Sequence, residues 1–292
     1  MHRPLIVLTT VAGFVACWRS SAAQSAAPPV TIYQSERHDI GTAAATDSLP
    51  RVLYVALPSS YADSASKRYP VVYVLDGDGV FALTAGIERL LLLGRETPEA
   101  IIVGIANGRP FVETPPFRWR NFTPTAVAAH PGTGHARELL AYLAREVLPF
   151  VDSLYRTQPG DRTLVGISRS GLFVLYALYE RPDVFQRYIA ASPEANWDNR
   201  YLFRRDSALA VSKRTLPVSL YLSVGETELA RPFGAAVREF GDTLKARHYE
   251  GMHLVVETLP GETHNSSFAT AITHGLKAVF RGRVAPNVSD QR

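Results

Sequence analysis

The chain is almost free of sulfur chemistry: one cysteine, Cys17, in 292 residues. A fold held by disulfides is therefore excluded, and a thiol nucleophile in the body of the chain is excluded with it. Charge of one sign is also missing. Lysine and arginine number 31 against 27 aspartates and glutamates, a formal charge of +4. That balance gives no electrostatic case for a nucleic-acid partner. The eight histidines show no His-x-x-x-His pair, so a metallohydrolase has no support and no metal or other cofactor is called for. No repeat appears. The one N-terminal apolar run, Pro4 to Cys17, is 14 residues without charge, short of the ~20 that cross a bilayer.

What is present begins with that stretch. His2 and Arg3 form a polar head, the apolar run follows, and Arg19 to Ala23 supplies small residues suited to a signal-peptidase site. Residues 1–23 are expected to be a leader removed on export to the periplasm or medium, leaving a charge of +2 once Arg3 and Arg19 are lost. The alternative is a lipoprotein leader ending at Cys17, since Phe14-Val-Ala-Cys17 is an imperfect lipoprotein box; a lipid anchor would then be the only membrane contact. Residues 24–29 read as a flexible linker, 30–281 as one domain and 282–292 as a loose tail.

Within the domain, 46% apolar residues can bury a sizeable core. Short apolar runs alternate with helical patterns. Strands are expected at Arg51–Leu57, Val71–Leu75, Ile101–Ile105, Leu164–Ile167, Tyr188–Ala191, Val218–Val224 and Leu254–Leu259. Helices are expected from Leu139 to Leu154, interrupted at Pro149, and at Leu172–Tyr179, Phe233–Ala246 and Phe268–Phe280. Such alternation implies an α/β fold, a mostly parallel sheet with helices on both faces. The strands before Asp76 are candidates for an antiparallel edge. Asn107 to Gly134, rich in proline and aromatics, and Glu194 to Thr215, polar and rich in arginine, fit no simple unit.

The chemistry sits at strand ends. Gly166-Ile-Ser168-Arg-Ser170-Gly runs from a strand into a helix, where a serine projects from a tight turn. The usual pattern is G-x-S-x-G, and here Ser170 takes the last place. A plain helix cap is the competing reading. A serine needs a base, and the base an orienting acid. In the order serine, acid, histidine, the loops after later strands offer Glu228, with Glu226 in reserve, and then His264. Oxyanion donors would be the N–H of Arg169 and that of Gly77 or Asp78, in the Asp76-Gly-Asp-Gly79 turn. Arg120, Trp119 and Trp197 are candidates for holding an aromatic or anionic acyl group; an aromatic loop packed on the domain is the alternative.

Taken together, Tyr69-Pro-Val-Val-Tyr-Val-Leu-Asp-Gly-Asp, Ile101-Ile-Val-Gly-Ile-Ala-Asn, Arg120-Asn-Phe-Thr-Pro, Glu146-Val-Leu-Pro-Phe-Val-Asp, Gly166-Ile-Ser-Arg-Ser-Gly-Leu-Phe, Ser192-Pro, Ser223-Val-Gly-Glu and His264 resemble the putative-esterase family of α/β-hydrolases. That family includes enterochelin esterases, siderophore trilactone hydrolases and esterase-D-like enzymes. The resemblance implies an α/β-hydrolase fold, Ser168 as nucleophile, His264 as base, and a small-molecule ester as substrate. The family's acid is variable, which leaves both glutamates open. Ile167, where histidine is usual, and Ser170 depart from the pattern. The expected activity is an acyl-enzyme ester hydrolase, on siderophore-like or aromatic esters. An acyltransferase on the same fold and a hydrolase-like binding protein with a decayed site are the rivals.

Overall fold

A computed structural model describes residues 31–40, 48–212 and 214–283. The expected leader, linker and most of the expected tail lie outside them. The apolar runs form one eight-stranded sheet in the order β1-β2-β4-β3-β5-β6-β7-β8. Its strands are β1 (Ser35–Asp39), β2 (Val52–Ala56), β3 (Tyr69–Val74), β4 (Ile101–Ala106), β5 (Thr157–Ile167), β6 (Arg187–Ala191), β7 (Ser219–Gly225) and β8 (His253–Leu259). From β4 to β8 every pairing is parallel, while β1 and β2 make the antiparallel edge. The edge is narrower than the sequence suggests, because β3 joins the parallel part. Its six residues are all buried, as a strand covered on both faces requires.

Helices cover both faces. One carries α1 (Gly77–Leu93) and α8 (Ser267–Val279). The other carries α3 (Ala136–Tyr142), α4 (Leu148–Leu154), α5 (Arg169–Glu180), α6 (Trp197–Ser212) and α7 (Pro232–Arg247). A short α2 (Pro115–Asn121) lies within the proline-rich segment. Pro149 acts as expected. A π-helical turn, Leu143–Val147, separates α3 from α4, and the Leu148 N–H reaches back five residues to the Leu143 carbonyl. A proline cannot donate to the carbonyl four residues back, and the wider turn absorbs the mismatch.

Three elements differ from expectation. The Asp76–Gly79 turn is in fact the start of α1, whose buried Val80, Phe81, Thr84, Ala85, Glu88 and Leu91 follow helical spacing; Thr84 and Glu88 mask the stripe. The Glu194–Thr215 insertion is largely α6. Its polarity hides an inward Asp206, which accepts hydrogen bonds from Arg247 (2.6 Å), Tyr249 (2.8 Å) and Tyr179 (3.2 Å). β1 has no apolar alternation because an edge strand can be held by main-chain pairing alone.

This strand order creates a crevice. The chain leaves β3 toward β4 and returns across it to β5, so connections diverge on either side of the β3–β5 pair. Ligands of open α/β sheets bind at such a switch point, beyond the carboxyl ends of the strands.

Candidate active site

Ser168 closes β5 at that point. Its backbone sits at φ 60° and ψ −116°, a region that costs a non-glycine residue on the order of 1–3 kcal/mol. Neighbours hold it there. The Ser168 N–H donates to the Ala191 carbonyl (2.8 Å), and the Ser168 carbonyl accepts from Leu172 (3.0 Å) and Glu194 (3.3 Å). Gly166 is required by space: a Cβ there would lie 2.4 Å from the Ser170 carbonyl oxygen. The turn launches α5, so the Arg169 N–H belongs to the free first turn of a helix whose positive end faces the crevice.

The two glutamates separate cleanly. Glu228, in the 3-10 turn Glu226–Ala230, is buried, and its Oε2 lies 2.7 Å from His264 Nδ1. Its Oε1 accepts from the Ser192 hydroxyl (2.7 Å) and the Gly225 N–H (2.9 Å). A carboxylate only accepts, so Nδ1 carries the proton and Nε2 is left as the acceptor that a general base needs. Burial pushes the Glu228 carboxyl up, but the bonds from His264, Ser192 and Gly225 outweigh it and hold the group below the usual carboxylate range. Glu226 braces the histidine loop instead, accepting from the Gly261 N–H at 2.7 Å. The imidazole is fixed edge-to-face by Phe233 and Phe268, at ring separations of 5.3 and 5.4 Å. Beside it opens a cavity of about 460 Å³ lined by Thr227, Arg231, Phe233, Thr263 and Asn265 together with the pair.

No hydrogen bond joins the Ser168 hydroxyl to the His264 ring among the described residues. The link runs through the neighbouring strand ends. Ser168 is bonded to Ala191, the adjacent Ser192 donates its N–H to the Ser223 carbonyl (2.8 Å), and its hydroxyl holds Glu228. Catalytic hydrogen bonds are often loose without substrate and tighten in the complex.

On the β3 side, Gly77 and Asp78 provide the first N–H groups of α1. The Asp78 carboxylate is occupied elsewhere, accepting from the N–H groups of Asn107 (2.7 Å) and Gly108 (2.9 Å). Asp76, left-handed at φ 57°, forms a two-point ion pair with Arg118, Nε to Oδ1 at 2.8 Å and Nη2 to Oδ2 at 3.0 Å.

The three residues expected to hold substrate divide. Trp119 lies beside the elbow, with the Arg169 guanidinium 3.5 Å above its ring and the His130 ring tilted against it at 4.0 Å. Arg169 in turn is bonded to Glu194 at 3.0 and 3.2 Å. Trp197 is buried and donates its indole N–H to Thr125 (3.0 Å), so it packs the aromatic loop onto α6. Arg120 is drawn off by Glu138 (2.7 Å) and Asn121 (2.7 Å) into a second cavity of about 580 Å³, bordered by Ser48, Arg51, Asn107, Arg109 and Phe117. Of the arginines of α2, the one that reaches the elbow is Arg118, whose Nη2 donates to the Ile167 carbonyl at 3.2 Å. Sequence reasoning gave Asp76 and Ser192 no role and singled out Arg120 where the structure brings Arg118. The dipeptide Ser192-Pro193 after a strand was the one available signal; nothing along the chain distinguishes Arg118 from Arg120.

An eight-stranded sheet in this order, with a serine on a positive-φ strand-to-helix turn and a Glu–His pair in the loops after β7 and β8, defines an α/β-hydrolase. The family model described as "Putative esterase" matches residues 48–273, and the chain belongs to that family. Among curated proteins it is 28% identical over 246 residues to the ferri-bacillibactin esterase BesA of Bacillus subtilis, covering 77% of this chain and 83% of that one. It is 27% identical over 263 residues to the siderophore triacetylfusarinine C esterase of Aspergillus fumigatus, covering 79% and 89%. Among solved structures, an IroE-like serine hydrolase from Shewanella oneidensis superposes with a TM-score of 0.74 at 26% identity, covering 87% of this chain and 82% of that one.

Proposed function

We propose that the protein is an exported serine hydrolase that cleaves carboxylic esters of the siderophore type through an acyl-enzyme. The observation that carries the reading is the Glu228–His264 pair: a buried, ionised acid that fixes the tautomer of the imidazole and is itself held by Ser192, one residue beyond the Ala191 that bonds Ser168. His264 Nε2 takes the Ser168 proton as the hydroxyl oxygen attacks the ester carbonyl. The intermediate's oxyanion is met by the N–H of Arg169 and that of Gly77 or Asp78. As the intermediate collapses, imidazolium returns the proton to the departing alcohol. Water activated by the same ring then frees the acid and restores Ser168.

The substrate class is supported by the names of the relatives, a ferri-bacillibactin esterase and a triacetylfusarinine C esterase. Export is supported by the leader-like residues 1–23 and is tested by whether the protein is recovered in the periplasm or medium, or, with Cys17 lipidated, in the membrane fraction. The activity is tested with a fluorophosphonate label and a panel of p-nitrophenyl, feruloyl and catecholate-trilactone esters. We expect labelling on Ser168, loss of label and turnover in Ser168→Ala and His264→Ala, and a preference for the trilactone. An unlabelled, inactive wild type would sink the reading.

A further inference from the structure

Ser170 stands where the elbow pattern normally ends in glycine, and it is wholly buried. Its hydroxyl is saturated. It accepts the Ile167 N–H at 2.8 Å and lies 2.6 Å from Asp76 Oδ2 and 2.9 Å from the Ile167 carbonyl. One hydroxyl carries one proton. The carboxylate is the stronger and closer acceptor, and the Ile167 carbonyl already receives Arg118 Nη2 at 3.2 Å. The proton therefore belongs to Asp76. The same carboxylate is held at two points by Arg118.

These bonds join two particular places. Ile167 immediately precedes the nucleophile and is tied through both its N–H and its carbonyl. Asp76 immediately precedes Gly77 and is itself left-handed, a conformation that aspartate tolerates and that here turns its carboxylate to Ser170 and Arg118. The two halves of the oxyanion hole, Arg169 on β5's helix and Gly77 or Asp78 on β3's helix, are thus one residue or two beyond the anchored positions. Oxyanion donors stabilise only when both lie within about 2.7–3.1 Å of one oxygen. Strand pairing sets the spacing of β3 and β5, but it ends at Val74 and Val165 and does not reach either donor. We propose that Ser170, with Asp76 and Arg118, is a positioning device that locks the two oxyanion donors at a fixed separation, so that the departure from glycine is a functional part of this site.

The inference rests on the serine-hydrolase reading and concerns the transition state, not substrate affinity. In the full-length protein, Ser170→Ala removes the bridge without adding bulk. On a p-nitrophenyl ester we expect kcat to fall about tenfold with KM within about twofold, since an interaction used only in the transition state lowers kcat. Inhibition by a phenylboronate, which mimics the tetrahedral adduct, should weaken by about the same tenfold factor. Combining Ser170→Ala with Asp76→Asn should cost little more than the larger single loss, because members of one unit do not multiply. If Ser170→Ala does not fold, Arg118→Gln opens the clamp from its less buried end and should give the same paired loss of kcat and boronate binding. An active, fluorophosphonate-labelled wild type whose variants keep kcat and boronate affinity would overturn the positioning role alone. So would a loss in KM with boronate affinity unchanged. A wild type with neither label nor turnover would remove the reading beneath it as well.

Discussion

Two carboxylates flank Ser168, one toward β3 and one toward β7, and each receives a hydrogen bond from a buried serine. Ser170 donates to Asp76 at 2.6 Å, and Ser192 donates to Glu228 at 2.7 Å. The third partner separates them. Asp76 is closed by the Arg118 guanidinium, a cation at any working pH, so its charge is spent on holding backbone in place. Glu228 has only neutral donors besides the imidazole of His264, so its charge remains available to the imidazolium that forms during reaction. A third buried carboxylate shows what happens without such partners. Glu88 on α1 accepts one N–H, from Ala100 at 3.3 Å, and burial pushes its carboxyl up to about 7. Hydrogen bonds and a fixed cation, more than depth alone, set what a buried acid can do here.

The comparison is broken most severely at Glu228. Glu228→Gln should lower kcat by about 10³- to 10⁴-fold while KM changes little, because the imidazole loses both its tautomer and its counter-charge. Steady-state kinetics would show it, and a loss no larger than that of Asp76→Asn would erase the distinction between the two acids. Ser192→Ala is expected to cost about tenfold or less. Its sharper sign lies in the acid side of the stability curve: with one donor gone, Glu228 protonates at higher pH, so the loss of stability on acidification sets in at higher pH than in wild type.

Stability offers two opposite slopes. The lowered carboxyl of Glu228 contributes stability that is present above the ordinary carboxylate range and lost as pH falls through its folded value. Glu88 works the other way. The folded chain keeps this proton to higher pH than the unfolded chain, so its contribution is full below the ordinary range and declines as pH rises to about 7. That decline is worth on the order of 3 kcal/mol. Glu88→Gln should therefore unfold at a higher temperature than wild type at pH 8 and at nearly the same temperature near pH 4.5. The smallest effect is expected at Glu226. Removing its brace on Gly261 in Glu226→Ala should lower kcat/KM by about two- to threefold.

Much of this arrangement was legible along the chain. Runs such as Val71–Leu75 and Ile101–Ile105 mark strands by continuous apolarity, and the loops after the strands expected at Val218–Val224 and Leu254–Leu259 carry Glu228 and His264. The choice between Glu226 and Glu228 was not legible, since both follow the same glycine. It depends on which side chain meets an imidazole brought in by β8. Helices α1 and α6 were hidden by inward-facing polar residues, Glu88 and Asp206, whose partners come from distant segments. Arg118 and Arg120 look alike in sequence, yet the turn of α2 sends one to Asp76 and the other to Glu138. Trp197, read as a surface for substrate, is buried by the same long-range packing.

The sequence by itself determined the alternation of strand and helix, the serine at a strand-to-helix junction and the order of the acid and base that follow it. These are local matters, written in apolar periodicity and in small residues at a tight turn. Only the tertiary structure decided which carboxylate holds the histidine, which arginine guards the elbow and what Ser170 does in place of glycine. Each of those is a hydrogen bond between residues 36 to 94 positions apart, and no local pattern encodes a contact made by the order in which strands join a sheet.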